Sequence, residues 1–442
     1  MGGGYKTPTM SIVSAAAESS RKHQIAYLVL RASTTALGIA WGFLFTAILV
    51  RVLGSHEFAF FALANGIAIS LSMADLGIAK VALLALAYRG TSRDNPTGLK
   101  TALVSYYILA ALLAAAVTAI GFGIFASSTK PLLVILFIPG VVAGLPWLML
   151  QQFAMAEGRY LAIEAIDFCR RAIQILALVC VPFGLSPLAA MSVYLASWAA
   201  ALVGACAVSG VSAKGLISVR TNAEVVSRFA KDNRRRLIDS IAFHGSELIV
   251  YQFPLLMVPI AFGVGWPVLA VDLFYKFHRT ATAGYRIGTE SQVPLVLDAQ
   301  RNGDARLMRR ALVRAAYIST FVLIVLTVLL GPLGDRIILA LLGSNSGVPT
   351  SVASLALLFC IINAVQNICG SYLLHTGRLG KLRRANTIVV LLLAALGVVM
   401  ALSWLNFVQA MVVYCAIYAV GAVVLYVDMT SCLIEARGPG RL

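Results

Sequence analysis

The chain has 442 residues, 60% of them hydrophobic and 12% charged, with a formal charge of +17 at pH 7. A soluble domain carries about a quarter of its residues as charges, so this composition excludes an ordinary soluble globular protein and describes a chain whose solvent is largely lipid. The positive excess by itself fits nucleic acid or an anionic surface equally well, so the placement of the basic residues has to decide.

Residues 1–24 form a mixed polar tail without a cleavable signal, because the first apolar run is longer than a signal's hydrophobic core. Runs long enough to cross the hydrocarbon core, which takes roughly 20 helical residues, then recur along the chain. Twelve are expected, at about 25–50, 57–81, 101–126, 132–155, 161–182, 187–209, 237–262, 267–295, 311–331, 350–374, 384–404 and 407–428.

The basic residues alternate by side. With the N-terminus inside, the inner segments hold Lys6, Arg21 and Lys22, then Arg89, Arg93 and Lys100, then Arg159, then Lys214, Arg220, Arg228, Lys231 and Arg234–Arg236. Further inner segments hold Arg301, Arg306, Arg309, Arg310 and Arg314, then Arg378, Lys381, Arg383 and Arg384, and finally Arg437 and Arg441, whereas only Arg51, Lys130 and Arg336 fall outside. By the positive-inside rule both termini are cytoplasmic, and the net charge needs no nucleic-acid partner.

The longest inner segment, 210–236, divides six runs from six. The expected organisation is a tail (1–24), a first six-helix bundle (25–209), a basic cytoplasmic linker (210–236), a second bundle (237–430) and a tail (431–442). This is an all-α integral membrane protein with twelve transmembrane helices in two pseudo-symmetric bundles around a central cavity, an arrangement in which transporters place the substrate path between halves. The internal echo between residues 48–64 and 259–275 is too faint to establish a duplication.

No outer loop exceeds about twenty residues, and the phosphate-loop, zincin and nucleophile-elbow motifs are missing. No catalytic residue, cofactor or metal is therefore expected, and the chain reads as a transporter rather than an enzyme. The seven cysteines lie in or beside apolar runs without CxxC spacing and read as small buried residues.

The eighth run poses the main problem. At about 100° per residue, Asp272, Lys276, Arg279, Arg286 and Glu290 fall within an arc of roughly 80°, with His278 to one side. Each charge at mid-bilayer costs on the order of 3 kcal/mol, so this stripe must face protein or water. Pairing of Asp272 with Lys276 and of Arg286 with Glu290 at i,i+4 is a purely architectural reading, but it leaves Arg279 without a partner on its own helix.

Other runs carry polar stripes as well. In the fifth, Glu164, Asp167 and Arg171 share an arc of about 60°, with Arg170 and Gln174 nearby; in the first, Arg31 lines up with Thr34, Thr35, Gly38, Gly42 and Thr46. The second contributes Asn65, Ser72 and Asp75, the seventh Asp239, Ser240, His244 and Glu247, and the tenth Asn363, Gln366, Asn367 and Gly370. The stripes imply a hydrated cavity, with the amide groups equally readable as helix-to-helix hydrogen bonds. His244 and His278 read first as core histidines, and Lys80 as a side chain reaching for the interface.

The intramembrane charges balance, so the count alone does not establish an anion site. Within the eighth run, however, Asp272 and Glu290 bound the stripe while Lys276, Arg279 and Arg286 hold its middle, and arginine's planar fork suits a phosphate or acidic sugar.

The segment 45–87, "FTAILVRVLGSHEFAFFALANGIAISLSMADLGIAKVALLALA", resembles the opening of Wzx-type polysaccharide flippases of the MOP superfamily. The likeness rests on Arg51-Val52-Leu53-Gly54, the acidic-aromatic pair Glu57-Phe58, and Ala74–Gly77; Ala59, Phe60 and Phe61 depart from the family's usual Gly and Tyr. The resemblance implies two bundles that rock between inward-open and outward-open forms. They would move a polyprenyl-pyrophosphate-linked oligosaccharide, a polysaccharide repeat unit, to the outer leaflet of a bacterial inner membrane. On this view Arg31, Arg171, Lys276, Arg279 and Arg286 engage the pyrophosphate or acidic sugars. Asp75, Asp167, Asp239, Glu247, Asp272 and Glu290 are cavity or coupling candidates, and the expected partners are the lipid-linked oligosaccharide, membrane lipids and other polysaccharide assembly proteins. The alternatives are a cation-coupled multidrug exporter of the same superfamily and an integral-membrane glycan polymerase or ligase.

Overall fold

The computed structural model describes residues 9–73, 75–79, 81–82, 96–125, 131–211, 216, 219–290, 292, 304–343, 346–376 and 378–435; the side chains of 9–25 and 286–290 are among those outside that description. The described residues are almost all helical. In chain order the helices are α1 (Thr9–Leu53), α2 (Ser55–Met73), α3 (Pro96–Phe125), α4 (Pro131–Val142), α5 (Gly144–Ala156), α6 (Tyr160–Val179), α7 (Pro187–Val208), α8 (Val219–Asp232) and α9 (Arg234–Phe262). They continue with α10 (Trp266–Glu290), α11 (Ala305–Leu330), α12 (Gly334–Leu342), α13 (Ser351–His375), α14 (Leu379–Ala401) and α15 (Phe407–Glu435).

A helix forms at each of the twelve expected positions, with α4 and α5 sharing the fourth. Nine of the described helical segments are long and apolar enough to cross a membrane, which makes this a multi-pass membrane protein. The remaining three positions are held by α2, α6 and α10. Both α6 and α10 carry the charged stripes, which lower their hydropathy while leaving their length intact. At 25 residues, α10 spans about 37 Å.

Helix ends follow local chemistry. Ser186 caps α7, its hydroxyl accepting from Ala189 N at 3.1 Å with Pro187 in the first turn. Asp304 caps α11 by accepting from Arg306 N at 2.9 Å and Leu307 N at 3.0 Å. Gly54, at φ +86, turns the chain between α1 and α2, a conformation that favours glycine.

In the first half α1 packs on α6, α6 on α7, and α4 against α2, α3 and α7. An aromatic stack holds the centre: Phe45 with Phe137 at 5.1 Å, Phe137 with Tyr194 at 5.4 Å, and Tyr194 with Trp41 at 5.2 Å. In the second half α10 is enclosed by α9, α11 and α13, α13 packs on α15, and α9 on α14. The halves meet along α1 and α2 on one side and α9, α10 and α12 on the other. The seam contains a Phe43–Phe277 ring contact at 5.6 Å and an Arg51 Nη2 bond to the Ala340 carbonyl at 2.8 Å. Gly66 of α2 packs there on Leu255 of α9, consistent with small residues allowing close helix approach in lipid.

The structure differs from the expected organisation in three places. The described part of the N-terminal tail is helical, since α1 starts at Thr9. The linker holds α8, whose Phe229 is buried and whose apolar face rests on α3, so these residues form an amphipathic helix and not a plain connection. The segment before α13, expected to be a loop, contains α12, which packs on α1.

Candidate functional site

The polar stripe of α1 organises the site. Residues 38, 42 and 46 recur every four positions and therefore share a face. Gly38 leaves room for Arg171 of α6: an added Cβ would lie 2.3 Å from Arg171 Nη1. One turn further along α1, Gly42 faces Lys276 of α10, whose Cε lies 3.9 Å from where that residue's Cβ would stand. Lys276 donates to Thr46 Oγ1 and pairs with Asp272. One helix thus receives a cation from its own half and another from the opposite half, within about 12 Å of each other at 1.5 Å of rise per residue.

On the first-half side, Asp167 is shared. Its Oδ2 accepts from Arg171 Nε at 3.0 Å and its Oδ1 accepts from Arg170 Nε at 3.0 Å. Arg170 is buried, with its guanidinium 3.7 Å from the Trp198 ring centroid, and it donates to Gln174 Oε1 at 3.2 Å. Gln174 in turn donates to Ser197 Oγ at 2.9 Å. Arg31 reaches Glu164 at 3.3 Å, the carboxylate buried and the guanidinium half exposed.

On the second-half side, Arg279 differs from its neighbours. It lies about 60° around α10 from Lys276, so it faces the same seam, and it is exposed although Tyr275 and His278 beside it are buried. Among the described residues it makes no ion pair and no hydrogen bond. Around the facing turns of α1, α6 and α10 stand the carboxylates Glu164, Asp167 and Asp272 and the cations Arg31, Arg171, Lys276 and Arg279, while Arg170 is turned into the first half against Trp198.

The structure thus brings Arg171 with Asp167 and Lys276 with Asp272 to one stripe of α1, with Arg31 earlier on that helix held by Glu164 and Arg279 one turn beyond Lys276 on α10. Arg286 and Glu290 continue the face of α10 by position, but their side chains lie outside the described residues, as does Lys80 altogether. Asp75 is placed elsewhere. The chain turns there, and its carboxylate accepts from Gly77 N at 3.1 Å, from Ala79 N at 3.1 Å and from the Tyr107 hydroxyl. Asp239 is exposed in the first turns of α9, with Glu247 two turns further on and half-buried.

The pairing of Arg170 with Trp198, and at 5.8 Å with Trp147, was not foreseen from the sequence. Its available signal was one tryptophan in each of the fourth and sixth spans, Trp147 and Trp198. His244 packs with Ser240 against Gly77, and the Ser240 hydroxyl donates to the Leu76 carbonyl at 3.2 Å.

The architecture is that of a polytopic helical membrane protein. It matches an inward-facing multidrug resistance MATE family transporter of the MOP superfamily, with TM-score 0.66 over 94% of this chain and 99% of that one at 10% identity. It is also similar to the eukaryotic MATE transporter AtDTX14 (TM-score 0.62, 94% and 98% covered, 14% identity) and to the lipid II flippase MurJ in an inward closed conformation (TM-score 0.60, 93% and 90% covered, 12% identity). No family model and no curated protein matches the sequence. The chain has the fold that MATE transporters and MurJ share.

Proposed function

We propose that the protein is a flippase that carries a polyprenyl-pyrophosphate-linked oligosaccharide from the inner to the outer leaflet of a bacterial cytoplasmic membrane by alternating access. In this reading α2, α6 and α10 cross the membrane with the other nine, giving two six-helix bundles, 25–209 and 237–430, with both termini inside. The observation that carries it is Arg279: exposed, without a hydrogen bond or ion pair among the described residues, and one turn along α10 from Lys276, which reaches α1 where the halves meet. A diphosphate crossing hydrocarbon needs compensating cations, and a free guanidinium offers the planar two-donor geometry that phosphate accepts. Arg31 and Arg171 approach the same α1 stripe from the first half. Asp167 and Asp272 hold Arg171 and Lys276 in place, and Glu164 holds Arg31. The prenyl tail stays in lipid.

The fold likeness to MurJ, described as a lipid II flippase, supports this reading at the level of architecture. The test is reconstitution into vesicles containing a lipid-linked oligosaccharide, with a membrane-impermeant reagent reading how much of it becomes accessible. No protein-dependent change in accessibility would refute the flippase reading.

A multidrug exporter is the second reading. It is favoured by the likeness to MATE structures and by the aromatic interior of the second half, where Phe359 stacks on Tyr418 at 4.4 Å and on Tyr414 at 5.5 Å. Export of lipophilic cations from the same vesicles, with no glycan movement, would establish it instead.

A further inference from the structure

A second polar assembly lies inside the second half, apart from the cationic seam. The Tyr418 hydroxyl of α15 lies 2.9 Å from the Tyr251 hydroxyl of α9 and 3.2 Å from Asn363 Oδ1 of α13. A phenol has one proton and an amide oxygen only accepts, so Tyr418 donates to Asn363 and receives from Tyr251. Asn363 Nδ2 donates to Thr282 Oγ1 at 2.7 Å, and that hydroxyl lies 3.3 Å from His278 Nε2. The chain of donors crosses four helices and ends on a ring nitrogen. His278 is 7% exposed, and its ring is stacked on Tyr251 at 5.4 Å and set edge-on to Phe359 at 5.0 Å and Tyr275 at 6.2 Å.

Adding a proton at Nε2 turns the acceptor into a donor. Thr282 Oγ1 then receives a second N–H, and its own hydrogen swings to the His278 carbonyl one helical turn back. That back-bond is ordinary for threonine in a helix, and Thr280 already makes it to the Lys276 carbonyl at 2.8 Å. The rearrangement gives the new Nε2–H and every hydroxyl of the chain an acceptor. The resulting imidazolium lies against the face of Tyr251, a favourable place for a cation.

The surrounding charges set the balance. On α10, Lys276 and Arg279 oppose a further positive charge and Asp272 favours one, with Tyr275 adjacent. From α9 come Tyr251 and, one turn earlier, Glu247; from α13, Cys360; and from α15, Tyr414, Cys415 and Tyr418. Helix α11 meets α10 at Gly284 and Val322 with its Arg314 and Tyr317 exposed, and α2 carries His56 and Glu57 in its first turn. The α1 cation of this region is Arg31, held by Glu164.

We propose that His278 is a proton-binding site, that protonation there rearranges the Tyr251–Tyr418–Asn363–Thr282 chain, and that a proton gradient acts on substrate movement through this site. The last clause rests on the flippase reading; the protonation does not.

Two measurements separate the parts. With histidine ring carbons labelled in protein held in nanodiscs, one resonance absent from His278→Gln should titrate between about pH 5 and 8, and Thr282→Val should shift its midpoint. A His278 resonance that stays fixed over that range, or one unaffected by Thr282→Val, overturns the proposal. In glycan vesicles with an imposed pH difference, the wild-type distribution should change about tenfold per pH unit for one proton moved per glycan, and His278→Gln should abolish that response while retaining basal movement. If glycan moves but wild type and His278→Gln respond alike, the coupling is wrong and the flippase reading stands. If no glycan moves in wild type, the flippase reading falls with the coupling, and the titration alone decides the proton site.

Discussion

Lys276 on α10 donates a hydrogen bond to Thr46 on α1, joining residues 230 positions apart across the seam. The same lysine pairs with Asp272 one turn back, so its charge is answered within its own helix while its remaining reach ties the halves together. Arg279, three residues on, has neither tie. Two neighbouring cations thus hold different positions, one structural and one open.

Removing the open cation should abolish transport without harming the fold. Arg279→Ala is expected to insert and express normally, since no bond among the described residues is lost, and to stop glycan translocation in reconstituted vesicles. Arg279→Lys keeps the charge but loses the fork, so partial activity is expected. Full activity in Arg279→Ala would exclude the residue from the substrate path.

Gly38→Ala should separate activity from stability. The new methyl meets the far end of the Arg171 side chain, which can swing aside, so the cost to folding is about 1 kcal/mol or less. The displaced guanidinium leaves the α1 stripe, and transport should fall several-fold with little change in the thermal midpoint. An unchanged rate would show that the seat of Arg171 on Gly38 is dispensable.

Two other glycines should fail through the fold itself. At Gly66 a Cβ would lie 2.0 Å from Leu255 Cδ2 within the seam, and overpacking of this kind costs about 1–3 kcal/mol. At Gly77, φ is +74 and Ser240 Oγ stands 2.2 Å from the added atom, so backbone strain of about 1–3 kcal/mol joins the clash. Gly66→Ala and Gly77→Ala should lower the thermal midpoint and the folded yield, measurable by fluorescence-detected size exclusion.

The two buried acids of α6 should not be equivalent. Asp167→Ala leaves Arg170 buried and Arg171 without its carboxylate, a loss of about 3–5 kcal/mol, and should prevent accumulation of folded protein. Glu164→Gln frees Arg31, which is half exposed and can be solvated, so a folded protein with altered substrate affinity is expected. Equal yields of the two variants would contradict this ranking.

Several of these features were readable in the sequence because the membrane imposes strong rules. Length and hydropathy located helices even where charge kept α6 and α10 below a purely apolar standard, and the 3.6-residue period placed Lys276 and Arg279 on one face. The i,i+4 spacing of Asp272 and Lys276 anticipated their pair. Periodicity carries no information about distant partners, however. Asp75 looked like one more intramembrane acid because nothing local announced that the chain turns at Leu76, a non-glycine residue at φ +51. The meeting of Arg171 and Lys276 on one stripe of α1 likewise depends on how three helices pack.

Arg51 bonds the Ala340 carbonyl near the end of α12, where the unsatisfied carbonyls of a helix concentrate partial negative charge. The guanidinium is exposed, so dissolved ions compete for it within a Debye length of about 8 Å at physiological ionic strength. Electrolyte concentration on that face therefore becomes a control variable: brine loosens the fastening between α1 and α12, and dilute medium tightens it.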